Sequence, residues 1–311
     1  MTSAETGAAA APPQRAVTRE RGYWGDAWRQ LRADRTAMFG LVLVVVVVLV
    51  AILAPLIAPY GPLLQHSDGL TANGSPLGPS REYLFGTDQL GRDELSRLIY
   101  GTRVSLAVGI GANLLAAVIG LLLGGIAGLS GRVGETLLMR FVDVLLSFPI
   151  LLLAIVFLAV TPPNIATIML VIGISFGAYL ARIVYAQVVS LREREFVLAA
   201  RTSGVRTPAI LGRHILPHVL PSALVFCTLG VATAVLLEAA LSYVGIGIKP
   251  PTPSWGNMIS DGQTYLFSKP FLVAFPCGAI VLAMLGFSLL GDGLRDALDP
   301  TLERRVITGI R

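Results

Sequence analysis

The sequence predicts an all-α membrane protein with six transmembrane helices. Hydrophobic residues make up 54% of the 311 residues, charged residues only 14%, and the mean hydropathy is +0.72. Soluble domains contain about 25% charged residues. Several uncharged runs also reach the roughly 20 apolar residues that a helix needs to cross a bilayer. Composition and run length together exclude a soluble globular domain.

The longest uncharged run shows how the spans are counted. Val144–Ala181 contains 38 residues without a charge, which would be about 57 Å long as one helix. Two adjacent prolines within Thr161–Asn164 break a helix there. The run is therefore predicted to form spans three and four, joined by a tight turn. The other predicted spans are Thr36–Pro59, Val104–Gly131, His218–Leu237 and the segment between Lys269 and Asp292.

The distribution of basic residues predicts the orientation. If the N-terminus is inside, the segments on the cytoplasmic side hold 18 of the 24 Lys and Arg residues. Because cytoplasmic loops carry the excess of basic residues, both termini are predicted to be cytoplasmic. The net charge of +5 then reflects clusters beside spans, so no nucleic-acid partner is expected.

The predicted chain has four parts. In the first, residues 1–35, a cytoplasmic tail leads into an interfacial helix whose Trp24, Trp28 and Leu31 share one face toward the bilayer. The remaining parts are 36–103 with the first span and an external segment, 104–291 with the transmembrane core and a charged cytoplasmic loop at 192–217, and 292–311 as a cytoplasmic tail.

The external segment carries a cluster of charges before span two. A helix from about Arg92 would place Leu95, Leu98 and Ile99 on one face. Two interpretations remain open: a charged substrate site, or an elbow helix in the outer leaflet whose exposed charges pair with each other. The charged residues are Asp88, Arg92, Asp93, Glu94 and Arg97.

Glycine in span two predicts close helix packing, because small residues let backbones approach within a membrane. Asn113 is the only strongly polar side chain in that span, and we expect it to bond across to another helix. The glycines are Gly109, Gly111, Gly120, Gly124, Gly125 and Gly128.

Span three begins with a segment that suggests a gate. Pro149 lies one to two turns inside, after Asp143 and Ser147, and should kink the helix. The kink is either a hinge for an inner gate or a static feature. Asp143, Ser147 and Pro149 are therefore candidate gate or path residues.

Motifs for catalysis and cofactor binding are missing from the sequence. There is no G-x-x-x-x-G-K-[ST] loop, no H-E-x-x-H pair and no Ser/His/Asp set. Cys227 and Cys277 fall inside predicted spans and imply neither a disulfide framework nor a metal site. The chain is expected to bind no cofactor or metal and to take its energy from elsewhere.

The charged loop is the longest charged run in the second half of the chain. Glu195–Ser203 suits a short helix, and Gly204 can take the left-handed conformation that ends one. Thr207 and Pro208 are predicted to cap and start a second helix. Such a pair of helices suits either a groove in a partner protein or the surface of an anionic membrane.

A family resemblance now enters. Leu198-Ala199-Ala200, with Gly204 four residues later and Ile215-Leu216-Pro217 beyond, resembles the EAA loop of ABC importer permeases. From Thr36 to Arg305 the chain is similar to the C-type permease of the dipeptide/oligopeptide/nickel branch. Leu198 stands at the loop's glutamate position, with Glu195 just upstream, and His214 stands at an isoleucine position. Other matching segments are Phe85–Asp93, Asp143–Pro149, Glu238–Gly247, Pro250–Ile259 and Gly291–Pro300.

The resemblance implies a type I ABC importer-like permease subunit, in a bacterial inner membrane. Its implied partners are a second permease subunit in a heterodimer, two ATPase subunits that bind ATP and Mg²⁺, an extracytoplasmic substrate-binding protein and the lipid bilayer. The loop would be the coupling helix seated in the ATPase groove. The implied coupling residues are Glu195, Leu198, Ala199, Ala200, Gly204, Leu216 and Pro217.

Two further path candidates follow span five. Glu238 either meets a cationic group of the substrate or pairs with Arg97 or Arg103, and Trp255 is expected in the wall of an outer vestibule. The expected cargo is di- or oligopeptides. Nickel or another small solute, an ATP-independent carrier or channel, and a non-conducting scaffold remain as alternatives.

Overall fold

Twelve α-helices make up most of the computed structural model, which describes residues 23–298. A π-helical stretch, Leu211–Ile215, precedes the tenth helix, and a short 3-10 turn, Gln263–Tyr265, follows the eleventh. The helices are α1 Tyr23–Ala33, α2 Arg35–Ile52, α3 Ala54–Ile57, α4 Glu94–Leu129, α5 Arg132–Ser147, α6 Ile150–Val160, α7 Ile165–Leu191, α8 Glu195–Thr202, α9 Thr207–Ile210, α10 Leu216–Tyr243, α11 Trp255–Gly262 and α12 Phe271–Leu298.

Side-chain caps fix where the long helices begin. Asp34 accepts the backbone N–H of Thr36 at 2.8 Å before α2, and Asp93 accepts that of Ser96 at 2.7 Å before α4. Asn164 caps α7 in the same way. Each cap satisfies a backbone donor that would otherwise have no partner at a helix start.

The predicted number of spans agrees with the structure. Within the described residues, five helical segments are long and apolar enough to cross a membrane: α2, α4, α7, the α9–α10 segment and α12. The pair α5–α6 passes the same test as one span bent by 88°. Counting that bent pair gives six.

The break in span three is larger than the predicted kink. Phe148 has extended backbone angles because the residue before a proline is disfavoured in the α conformation, and Pro149 has no N–H to continue the helix. The span also starts earlier than predicted, at Arg132 rather than Val144. α6 has 11 residues, about 16 Å of helix, and is too short to cross a bilayer without α5.

Glycine contacts reveal how the helices run. A Cβ added to Gly111 would meet Met169, and one added to Gly128 would meet Val188. α4 and α7 therefore lie side by side in the same direction, so the chain between them must cross back through α5–α6. The prediction that span two packs closely through its glycines is confirmed.

The first and last spans are antiparallel neighbours. Gly40 of α2 lies against Leu289 and Leu290 of α12, and Ala37 lies against Gly293. α1 packs on the end of α12 through the buried Leu31. Both ends of the described chain therefore lie at the same end of the bundle.

Several predicted boundaries were wrong. α4 begins at Glu94 rather than Val104, because the expected elbow helix is its first turns. α10 extends beyond the predicted fifth span at both ends, and α12 continues to Leu298, past Asp292. The predicted tails at 1–22 and 299–311 lie outside the described residues.

Asn113 does not bond across to another helix. Its side-chain amide donates to the carbonyl of Gly109 in its own helix at 2.9 Å. Its Oδ1 is buried against Gly230 of α10 without a hydrogen-bond partner. The contact between α4 and α10 at this point is made by shape rather than by the predicted hydrogen bond.

Candidate functional site

The charged loop between α7 and α10 is anchored by an apolar underside. Val197 and Ala200 of α8 are buried, and so are Ile210 and Ile215. These side chains join one apolar cluster with residues of α7 and α10, which holds the short helices against the end of the bundle. The α7 and α10 members are Leu180, Val184, Val188, Val219 and Ala223.

Gly204 ends α8 as predicted. Its φ is +78°, a conformation that a Cβ makes unfavourable. The N–H of Gly204 donates to Arg201 at 3.0 Å, and the N–H of Val205 donates to Ala200 at 3.1 Å. This bonding is a Schellman motif, and it turns the chain sharply back toward α9.

The start of α9 differs from the prediction. Thr207 is its first residue and Pro208 its second, while Arg206 occupies the cap position without a side-chain hydrogen bond. The helix then widens into the π-helical stretch before Pro217. Because Pro217 cannot donate a backbone bond or fit beside the carbonyl four residues earlier, a local widening of the helix is expected there.

The outward face of α8 carries two of the predicted coupling residues. Leu198 is 47% exposed and Ala199 is also exposed, as is Glu195 at the start of the helix. Phe196 stacks on the ring of His218, with the centroids 5.2 Å apart. Ala200 points to the apolar underside instead, so the two adjacent alanines cannot share one contact surface.

The other predicted coupling residues lie around the rest of the loop. Gly204 and Pro217 are exposed, whereas Leu216 is half-buried. The structure thus brings the coupling residues into one surface region, except for Ala200.

Arg192 anchors the base of the loop. Its Nη1 donates to the carbonyl of Gly128 at the end of α4, at 2.9 Å, and lies 3.6 Å from Glu135 of α5. The hydroxyl of Tyr185 on α7 donates to the other oxygen of the same carboxylate. Three helices therefore meet at the residue where the loop begins.

Asp143, a predicted gate residue, is paired on α5. It accepts from Arg182 of α7 and lies 3.8 Å from Arg140. Ser147 donates to Val144 of its own helix at 2.7 Å, and Pro149 is exposed at the bend. An open groove of about 270 Å³ separates this pair from Glu135; it is lined by Glu135, Thr136, Met139, Arg140, Asp143 and Tyr185.

Glu238 lies far from the loop and has no cation beside it. It is 0% exposed and accepts hydrogen bonds from Ser105 at 2.9 Å and Ser242 at 2.7 Å. The predicted pairing with Arg97 or Arg103 is therefore wrong. Full burial also keeps the carboxylate from meeting a solute in this conformation.

Trp255 is buried in the same network. It is 1% exposed, its backbone N–H donates to Ser105 at 3.4 Å, and its indole Nε1–H donates to the carbonyl of Leu98 at 3.3 Å. The expectation of an exposed vestibule wall is not met by this side chain. Trp255 instead holds α11 against α4.

The charges before span two are buried rather than exposed. Asp88 lies 2.6 Å from Arg92 and 3.2 Å from Arg97, and Arg97 lies 3.7 Å from Asp261 of α11. Burial raises the pKa of Asp261, although Arg97 and Arg92 oppose that shift. The charges do pair as the second interpretation held, but the prediction that they are exposed was wrong.

Sequence reasoning missed the residues that join distant segments. Glu135, Arg182 and Tyr185 contact the predicted gate and loop residues, and Ser105 links Glu238 to Trp255. No local pattern marks them, since their partners lie 39 to 150 positions away in the chain. In the part of the chain that the structure describes, no three His, Cys, Asp or Glu side chains are placed to hold a metal ion.

A bundle with six crossings and a helical loop projecting from one end defines a multi-pass membrane permease. Residues 120–304 match the binding-protein-dependent transport system inner membrane component family, and residues 22–76 match the N-terminal TM domain of oligopeptide transport permease C. The chain belongs to this family of permeases. It is a permease subunit of a bacterial ABC transporter of the inner membrane.

Similar proteins cover nearly the whole chain. Dipeptide transport system permease protein DppC of Alkalihalophilus pseudofirmus is 42% identical over 282 residues, 90% of each chain. Oligopeptide transport system permease protein OppC of Bacillus subtilis is 40% identical over 283 residues, 90% of each chain. Glutathione transport system permease protein GsiD of Escherichia coli is 40% identical over 280 residues, covering 90% of this chain and 91% of the relative.

Proposed function

We propose that this chain forms one half of the translocation path of an ATP-driven importer of di- and oligopeptides. The observation that carries the proposal is 40–42% identity over 90% of both chains to permeases of dipeptide and oligopeptide transport systems. The chain contributes no catalytic residue; energy enters through ATPase subunits that bind ATP and Mg²⁺. Nickel and other small solutes are the alternative cargo.

The charged loop is the proposed contact with those ATPases. Leu198 and Ala199 face outward on a short helix whose opposite side is held by buried apolar contacts. A small residue beside an exposed leucine lets a groove approach the helix closely. The excess of basic residues on this side of the chain favours the cytoplasm, where ATP is available.

A second permease subunit is the proposed partner within the membrane. Val133, Leu137 and Phe141 form an exposed apolar row on α5, with exposed fractions of 73%, 67% and 54%. Lipid or a second permease must cover such a row. A heterodimer would enclose the path between two chains, with an extracytoplasmic substrate-binding protein delivering the cargo.

Transport by the reconstituted complex tests the proposal. The whole complex, with its substrate-binding protein, is placed in vesicles, and uptake of a labelled dipeptide is followed with ATP or a non-hydrolysable analogue on the ATPase side. We expect uptake only with ATP, competed by unlabelled peptide and not by nickel. Equal uptake with the analogue would mean an ATP-independent carrier or channel, and competition by nickel alone would reassign the cargo.

A bulky substitution on α8 tests the ATPase contact. Ala199→Trp should prevent the groove from closing over the helix, so the ATPase subunits should no longer co-purify with the permease. Ala107→Trp, at an exposed alanine of α4 far from the loop, is the matched control. Normal co-purification of Ala199→Trp would place the ATPase contact elsewhere.

A further inference from the structure

Two polar contacts, eight positions apart, tie α5 to the segment that leads into the charged loop. Glu135 makes one and Asp143 makes the other. We infer that these carboxylates are positioning residues that make α5 move with α7 and the loop, so that loop movement reaches the bend at Pro149. The inference rests on the proposed coupling role of the loop.

The first contact lies at the base of the loop. Arg192 caps the C-terminus of α7 and is also the first residue of the loop. Its guanidinium contacts Glu135 and the Gly128 carbonyl, while Tyr185 holds the other carboxylate oxygen. A displacement of the loop therefore acts directly on the start of α5.

The second contact lies near the end of α5. Asp143 is paired with Arg182, five residues before Phe148, where the helix breaks. Between the two contacts, Val142 is buried against Ala178 and Ala181 of α7. The contacts are about 12 Å apart along α5, and two attachments with an apolar seam between them prevent the pivoting that a single one would allow.

The bend makes this attachment consequential. α6 leaves α5 at 88°, so a tilt of α5 displaces the bend and the start of α6. All the side chains in these pairs are partly exposed, and such ion pairs contribute little to stability. Their loss should therefore change coupling while leaving assembly of the complex intact.

Charge reversal tests the inference. Asp143→Arg and Arg182→Asp should each lower the number of peptides imported per ATP hydrolysed about fivefold, the low end of typical coupling between sites. The double swap restores opposite charges at the same positions and should recover the ratio. Arg132→Asp, an exposed arginine of α5 that lies outside these contacts, is the matched control.

A covalent link gives an independent test. Asp143→Cys with Arg182→Cys, in a chain whose Cys227 and Cys277 are replaced by alanine, lacks the ion pair and should show the same fivefold loss. A short bifunctional thiol cross-linker should then restore the ratio, because α5 and α7 again move together. If the cross-link stops import, the two helices must move apart, which overturns the inference.

The outcomes separate this inference from the proposed function. An unmodified complex that shows no ATP-dependent uptake contradicts the proposed function. An unmodified complex with such uptake, together with normal coupling in Asp143→Arg, contradicts only the role of the carboxylates. Failure of the double swap to recover coupling would also reject that role.

Discussion

Ser105 illustrates how one small side chain can organise a membrane interior. Its hydroxyl donates to Glu238 of α10 and accepts from the backbone N–H of Trp255, so α4, α10 and α11 meet at one oxygen atom. Ser242 gives Glu238 its second donor. A buried polar group without a partner is unfavourable, and this arrangement satisfies three of them at once.

Removing that hydroxyl should destabilise the complex. Ser105→Ala leaves an oxygen of Glu238 and the Trp255 N–H without this partner, which should cost about 1–3 kcal/mol. The measurement is the thermal unfolding midpoint of the purified complex in detergent. Ser175→Ala is the matched control, because this buried serine bonds only to Val171 of its own helix. Equal midpoints for the two variants would contradict the importance of the Ser105 contacts.

At the scale of elements, α8 and its turn show how a short helix is held in one orientation. An isolated helix of eight residues would be unstable in water. The buried Val197 and Ala200 attach it to the bundle, and the Schellman turn at Gly204 fixes where it ends. The orientation of Leu198 and Ala199 therefore depends on both the apolar contact and the backbone turn.

Gly204→Val should uncouple ATP hydrolysis from import. Valine resists a positive φ, and the left-handed conformation costs a non-glycine residue about 1–2 kcal/mol, so the end of α8 should shift. The measurement is again peptide uptake per ATP hydrolysed, which should fall.

Gly212→Val supplies the control for that prediction. An added Cβ has no neighbour within 4 Å at either position, and only Gly204 has a positive φ. The control should therefore keep normal coupling. If both variants behave alike, the effect does not come from the backbone conformation.

At the scale of the whole molecule, the helix directions account for the alternating crossings. α4 runs parallel to α7, and α2 runs antiparallel to α12. Six crossings then place both ends of the described chain and the charged loop at one end of the bundle. The basic residues at that end favour the cytoplasm as their side.

Accessibility to a membrane-impermeant thiol reagent tests this orientation. In a chain without Cys227 and Cys277, Ala72→Cys in the exposed external segment should be labelled in right-side-out vesicles. Ser203→Cys in the loop should be labelled only in inside-out vesicles. The reverse pattern would place the loop outside the cell and would also exclude its contact with cytoplasmic ATPases.

Much of this architecture follows from local sequence patterns. Hydrophobic run length predicted the number of spans, because a bilayer core demands a minimum length of apolar helix. Pro149 predicted a break and Gly204 predicted a helix end, since both residues act on their own backbone. Sequence could not give the 88° angle of the bend, which depends on how α5 and α6 pack on α7.

The sequence by itself determined the class of protein, the number of spans and the position of the charged loop, all of which depend on neighbouring residues. Tertiary structure alone decided which charges are buried and which partners they take. Glu238 joins Ser105 rather than an arginine, Ala200 points inward beside an outward Ala199, and Glu135 meets Arg192. Such contacts join residues far apart in the chain, and only the packing of whole helices brings them together.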